Sequence, residues 1–165
     1  AGGLQPLTDG LRGADEDNPG GYFELEAVKR MEGGTEWVYG AVGKVVKVIS
    51  QLLDKLPADK RYKIVFALRA MDEILASQRA MLKRRGKDED GTADAEFADV
   101  FNRHLREVRH WLDAQGHMEV LYVEYGAILQ DPLAASRRLA EFLPASLDVE
   151  RMAGVVDESL YRQRK

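Results

Sequence analysis

The chain is expected to fold as a single α/β domain spanning residues 1–165, a three-layer arrangement in which a central parallel sheet is flanked by helices. Two observations point there. Apolar runs of strand length alternate with longer segments of helical period, and the strand-like runs are apolar on both faces, as strands covered on both sides must be. A third places the functional edge: the period changes from strand to helix around Arg69, and open α/β sheets bind ligands beyond the carboxyl ends of their strands.

Taken in order, residues 1–21 are rich in Gly, Asp and Pro, and "GADEDNPGG" has the composition of an exposed loop. "YFELEAVKRM" fits a short helix with Phe23, Ala27 and Met31 at i, i+4 and i+8, ended by Gly33-Gly34. "KVVKVIS", from Lys44, is β-branched and is expected to be a buried strand. A turn at "KLPADKRY" leads to a second strand, "KIVFAL", too short an apolar run for an independent helix. From Asp72, the expected N-cap, Ile74, Leu75, Met81 and Leu82 recur at helical spacing. After the polar loop "GKDEDGTADAE", Phe97, Val100, Phe101, Leu105, Val108, Trp111 and Leu112 trace one face of a long amphipathic helix. "MEVLYVEY" is a third strand, "DPLAASRRLAEFL" a helix opened by Pro132, and "DVERMAGVV" a last short helix.

Composition excludes several classes. At 165 residues with 45% hydrophobic and 32% charged residues, the chain is long enough and apolar enough to bury a core. Its 24 basic and 28 acidic residues give a net charge of −4, so no electrostatic case exists for duplex nucleic acid or an anionic membrane, and any anion site must be local. The absence of cysteine removes disulfides, thiolate nucleophiles and Cys-ligated zinc and agrees with a reducing compartment, with the cytoplasm as the default location. No apolar stretch approaches the ~20 residues that span a bilayer, and no signal-peptide pattern opens the sequence. The first residue is not Met, which fits a fragment of a longer chain.

Arg69 is the residue these considerations single out. A guanidinium just past a strand end and just before a helix N-terminus sits beside free N–H groups and the positive end of the helix dipole, a combination suited to phosphate. Ser77, eight residues on, offers a hydroxyl in the early turns of the same helix. Arg69 paired with Asp72 or Glu73 at the surface is the competing reading, and on these grounds the two stand level.

The unit strand, Arg69, seven residues, Ser77, helix resembles the 3′-phosphate-binding element of the sulfotransferases that use 3′-phosphoadenosine 5′-phosphosulfate (PAPS). "NPGGYFELEAVKRM", "GKVVKVISQLLDKLP", "VLYVEYGAILQDPLAASRRLAEFL" and "LYRQR" fall in that family's order and cover most of the chain from Asn18 to Lys165, with the bacterial sulfotransferase-like proteins as the nearest likeness. The resemblance implies a P-loop-type fold in which Arg69 and Ser77 hold the 3′-phosphate. Tyr125 would lie near the nucleotide, or pack as a strand-end aromatic. Arg162, with Arg164, would add a basic contact or be merely solvated. Lys47 would contact the bridging oxygen or the sulfuryl group, or snorkel to water. No metal is implied.

Two departures accompany the match. The Gly/Ser/Thr-rich loop that cradles the 5′-phosphosulfate is absent, which is expected to reflect a missing N-terminal strand and helix rather than true loss. Cytosolic family members place a histidine where this chain has Ile49. His104, His110 and His117 match no motif that would replace it, and their spacing suits no metal site. Other branches use a glutamate, for which Glu24 or Glu26 qualify; Glu24 follows a Gly-Tyr-Phe turn that would aim it, and helix N-terminal carboxylates are the plainer reading. The implied activity is transfer of a sulfuryl group from PAPS to a hydroxyl or amine, releasing 3′,5′-ADP, with a small-molecule, lipid or glycan acceptor. "KRRGK" would draw an acidic acceptor or simply be a solvated charge run. The alternative is a non-catalytic sulfotransferase-like domain that binds nucleotide or acts through an interface such as the Phe97–Leu112 face. A small-molecule kinase is disfavoured by the lack of Walker-type carboxylates near a strand end.

Overall fold

The structure is a computed structural model that describes residues 1–16, 18–84, 86 and 92–160. Its internal contacts gather into two compact units, residues 3–61 and the chain from Tyr62 onward with Ala1–Gly2.

The 3–61 unit is built mainly from turns. Helix α1 covers only Glu26–Lys29, and 3₁₀ turns follow at Met31–Gly33, Glu36–Ala41 and Ser50–Lys55. Val28, Met31, Val38 and Leu53 are buried and form its small core. The helix expected over "YFELEAVKRM" is cut short because Phe23 has φ +48°, in the left-handed region that breaks a right-handed helix, and Leu25 is extended. Phe23 is therefore 59% exposed rather than on a buried helical stripe.

The strand expected at Lys44 does not form either. Val45 makes a single parallel bridge with Pro6, its N–H donating to Gln5 C=O at 3.0 Å and its carbonyl accepting from Leu7 N–H at 2.8 Å. The bridge extends no further and the Val45 and Ile49 side chains stay exposed, so the β-branched composition finds no ladder to stabilise it.

In the second unit, β1 (Tyr62–Leu68) and β2 (Met118–Glu124) pair in parallel, with Tyr62 opposite Met118 and Leu68 opposite Glu124. Between them run α2 (Met71–Arg84) and α3 (Thr92–Asp113), the long connection that parallel strands require. Then come α4 (Tyr125–Gln130), α5 (Pro132–Phe142) and α6 (Val149–Ala153). The α/β class is as expected, with a described sheet of two strands instead of three. β1 is also not covered on both faces. Tyr62, Ile64, Phe66 and Leu68 point to the more buried side, whereas Lys63, Val65 and Ala67 are exposed. Phe66 meets the Tyr122 ring at 5.5 Å between centroids, a cross-strand aromatic pair.

The expected helices are present, and their ends follow local chemistry. Asp131 caps α5 by accepting from Ala134 N–H at 2.9 Å, with Pro132 at the first position, and Asp148 caps α6 through Arg151 N–H at 2.9 Å. Asp72 is not the N-cap of α2. The helix opens at Met71, Ile74 N–H donates to Ala70 C=O, and Asp72 sits in the first turn. On α3, Leu112 is 2% exposed and the Phe97 and Phe101 rings stack at 5.7 Å. Among the described residues no helix is long and apolar enough to cross a membrane.

Candidate functional site

The register of the parallel pair brings Arg69 and Tyr125 together. Leu68 and Glu124 are partners at the carboxyl ends of β1 and β2, so the residue following each leaves the sheet at the same edge. The Arg69 guanidinium lies 5.2 Å from the centre of the Tyr125 ring, within cation–π range. Two of the residues singled out from sequence thus share a site, at the edge where α/β sheets bind ligands.

Glu73 shares it too. Arg69 Nε donates to Glu73 Oε2 at 3.0 Å, and the Glu73 side chain is only 16% exposed. The competing reading of Arg69 as an ion-paired arginine is therefore realised. Glu73 and Ser77 are i, i+4 neighbours on one face of α2. The carboxylate stands in the helical turn between Arg69 and the half-buried Ser77, which lies ~9 Å along the axis from the first residue of α2. An anion held by both Arg69 and Ser77 would have to displace Glu73 or lie beside it. Among the described residues, Glu73 is the one carboxylate within ion-pair distance of Arg69, so the other guanidinium N–H groups carry no second ion pair. Arg162 and Arg164 lie outside the described residues, as does most of "KRRGKDEDG".

Glu24 and Lys47 belong to the 3–61 unit, where they form a second cluster. Gly21 (φ +86°) and Phe23 (φ +48°) make the turn that the Gly-Tyr-Phe sequence suggested. Thr8 Oγ1 anchors its far end by donating to Glu24 C=O at 2.8 Å. A left-handed Phe is costly backbone of the kind that gathers at functional sites. The Glu24 carboxylate meets three cations: Lys29 Nζ at 3.2 Å, Arg12 Nη1 at 3.4 Å and Lys47 Nζ at 3.6 Å. Arg12 also stacks on the Tyr22 ring, 3.3 Å from its centre, while the Tyr22 hydroxyl donates to Asp15 at 2.7 Å. Lys47 Nζ donates in addition to Tyr22 C=O at 3.4 Å.

Burial alone would raise the Glu24 carboxyl, but Lys29, Lys47 and Arg12 outweigh it and hold the group below the usual glutamate range. Glu24 is thereby a weaker proton acceptor at neutral pH than a free carboxylate. Glu26, the other glutamate considered, pairs with Lys29 at 3.3 Å and Arg30 at 3.4 Å.

The three histidines do not converge. His104 lies beside Phe101 and His117 beside Tyr62, and among the described residues no group of three His, Asp or Glu could hold a metal ion. Sequence reasoning missed Arg12, Tyr22 and Lys29 around Glu24, because Arg12, Tyr22 and Glu24 lie outside any regular element and no periodicity predicts their partners. For Glu73 the 69, 73, 77 spacing was a usable signal. No family model, curated protein or solved structure matches the chain.

Proposed function

We propose that the chain carries the 3′-phosphate half of a PAPS-dependent sulfotransferase site. The reaction breaks the bond between the sulfuryl sulfur and the bridging oxygen of PAPS, and forms a new bond from sulfur to an acceptor hydroxyl or amine. The acceptor's proton passes to a base, and 3′,5′-ADP leaves. One observation carries the reading: Arg69 and Tyr125 sit side by side at the carboxyl edge of a parallel pair, directly before α2. A guanidinium there supplies charge-assisted, bidentate hydrogen bonds to a phosphate, and an adjacent tyrosine ring supplies a flat wall. In this reading Ser77 adds a donor after Glu73 yields Arg69. The acceptor is a small molecule, a lipid or a glycan.

Glu73 on Arg69 and the three cations on Glu24 favour a second reading, a sulfotransferase-like domain that binds nucleotide without turning it over. Both readings require recognition of the 3′-phosphate. Calorimetric titration of 3′,5′-ADP and 5′-AMP into the 165-residue chain is expected to show much tighter binding of the former. Arg69→Ala should weaken 3′,5′-ADP by about 2 kcal/mol and leave 5′-AMP nearly unchanged. Glu73→Gln should strengthen 3′,5′-ADP binding, since it frees the guanidinium. Equal affinities for the two nucleotides, or equal losses in Arg69→Ala, would remove the assignment. If 3′,5′-ADP binds, consumption of PAPS with an acceptor panel separates the catalytic from the non-catalytic reading.

A further inference from the structure

A separate concavity of about 570 Å³ opens within the unit that begins at Tyr62. Arg109 and Asp113 reach it from the end of α3, Tyr122 and Glu124 from β2, Leu68 from β1 and Arg138 from α5. Several charged groups elsewhere in the unit are paired. Lys63 pairs with Glu119, Arg69 with Glu73 and Arg79 with Asp94. By contrast, Arg109, Asp113, Glu124 and Arg138 form no ion pair with one another or with any other described side chain.

Arg109 and Asp113 have the i, i+4 spacing at which opposite charges ordinarily meet on a helix. They do not meet, because the Arg109 guanidinium lies over the Tyr122 ring instead, 4.8 Å from its centre. The Tyr122 hydroxyl beneath is buried without a hydrogen-bond partner. Two guanidiniums, two carboxylates and a phenol thus surround one cavity with their strongest bonding capacity unspent, while Leu68 and Ala127 add apolar wall.

A ligand of one charge does not suit this lining. A simple anion satisfies Arg109 and Arg138 but faces Asp113 and Glu124, and a simple cation meets the reverse conflict. A molecule that carries both charges is matched at both: a carboxylate takes the fork of a guanidinium, and an ammonium donates to the carboxylates. The volume falls in the range of small-molecule pockets. We infer that this cavity, through Arg109, Asp113, Glu124 and Arg138, binds a small amino-acid-like zwitterion. The inference makes no use of Arg69 or Ser77 and stands independently of the nucleotide reading.

The test uses four six-carbon probes titrated into the ¹⁵N-labelled chain and followed by amide chemical shifts: 2-aminohexanoate, 6-aminohexanoate, hexanoate and hexylamine. At least one of the two amino acids is expected to bind tenfold or more tightly than both singly charged probes, with shifts centred on residues 109–113, 122–127 and 138. Arg138→Gln and Asp113→Asn lie at exposed positions and should each abolish that preference. Arg137→Gln, on the adjacent exposed position of α5 outside the lining, should preserve it. Absence of binding by all four probes overturns the inference. So does equal binding of an amino acid and its singly charged analogue, or a preference that survives both Arg138→Gln and Asp113→Asn.

Discussion

Glu24 shows how one residue's surroundings decide what it can do. As a lone carboxylate on a loop it would titrate near 4.3. Burial pushes it up, and Lys29, Lys47 and Arg12 together push it further down, so its folded value lies below its unfolded one. A depressed carboxylate contributes stability that is complete above the unfolded value and is lost as pH falls through the folded one. The stability gap between the wild-type chain and Glu24→Gln should therefore be constant from pH 7 to about 5 and shrink as pH falls below about 4. Thermal melts of both proteins across this range check it. A gap unchanged down to pH 3 would mean that the cations do not hold the carboxylate in solution. The same depression works against Glu24 as a general base, which is why Glu73 and Glu24 together give the non-catalytic reading its weight.

The elements divide by whether local order suffices. β1, β2, α2, α3, α5 and α6 lie close to where period and capping residues put them, since apolar spacing, Pro132 and the Asp131 and Asp148 caps act within a turn or two of chain, whereas α4 opens at Tyr125, where a strand end was expected. The Lys44 segment has strand composition but no ladder, and Phe23 leaves the helix because a left-handed turn precedes α1. The face of α3 that the sequence traces is also unevenly used. Leu112 is 2% exposed, whereas Val100 on the same predicted stripe is 49% exposed. Leu112→Ala should cost about 3 kcal/mol in urea denaturation, from lost burial and the cavity left behind, and Val100→Ala under about 0.5 kcal/mol. Similar costs at both positions would mean that Val100 is covered in solution.

At the scale of the whole molecule, the two units differ in how their backbones are held. From Tyr62 onward most of the described chain lies in helices or in the β1–β2 ladder. The described residues of 3–61 rely on one short helix, three 3₁₀ turns and one isolated bridge. Local opening follows the density of such bonds and of buried apolar contact. Hydrogen exchange followed by mass spectrometry should therefore protect 62–68 and 118–124 longest, and residues 36–50 at least tenfold less. Equal protection in both segments would show that the 3–61 unit is as tightly closed as the sheet.

The sequence by itself determined the α/β class, β1 and β2, the helices α2, α3, α5 and α6 and the position of Arg69 at a strand-to-helix joint, because each rests on spacing within a few residues. Tertiary structure alone decided the rest. It left Lys44 to Ser50 without a ladder, seated Arg69 between Glu73 and Tyr125, gathered Arg12, Lys29 and Lys47 on Glu24, and drew Arg109, Asp113, Glu124 and Arg138 around one cavity. Partners in these groups lie up to 56 positions apart, as Arg69 and Tyr125 do, and no local period encodes such a pairing. It depends on which surfaces the folded backbone brings within reach of a few ångströms, where charge and hydrogen-bond interactions become strong enough to choose.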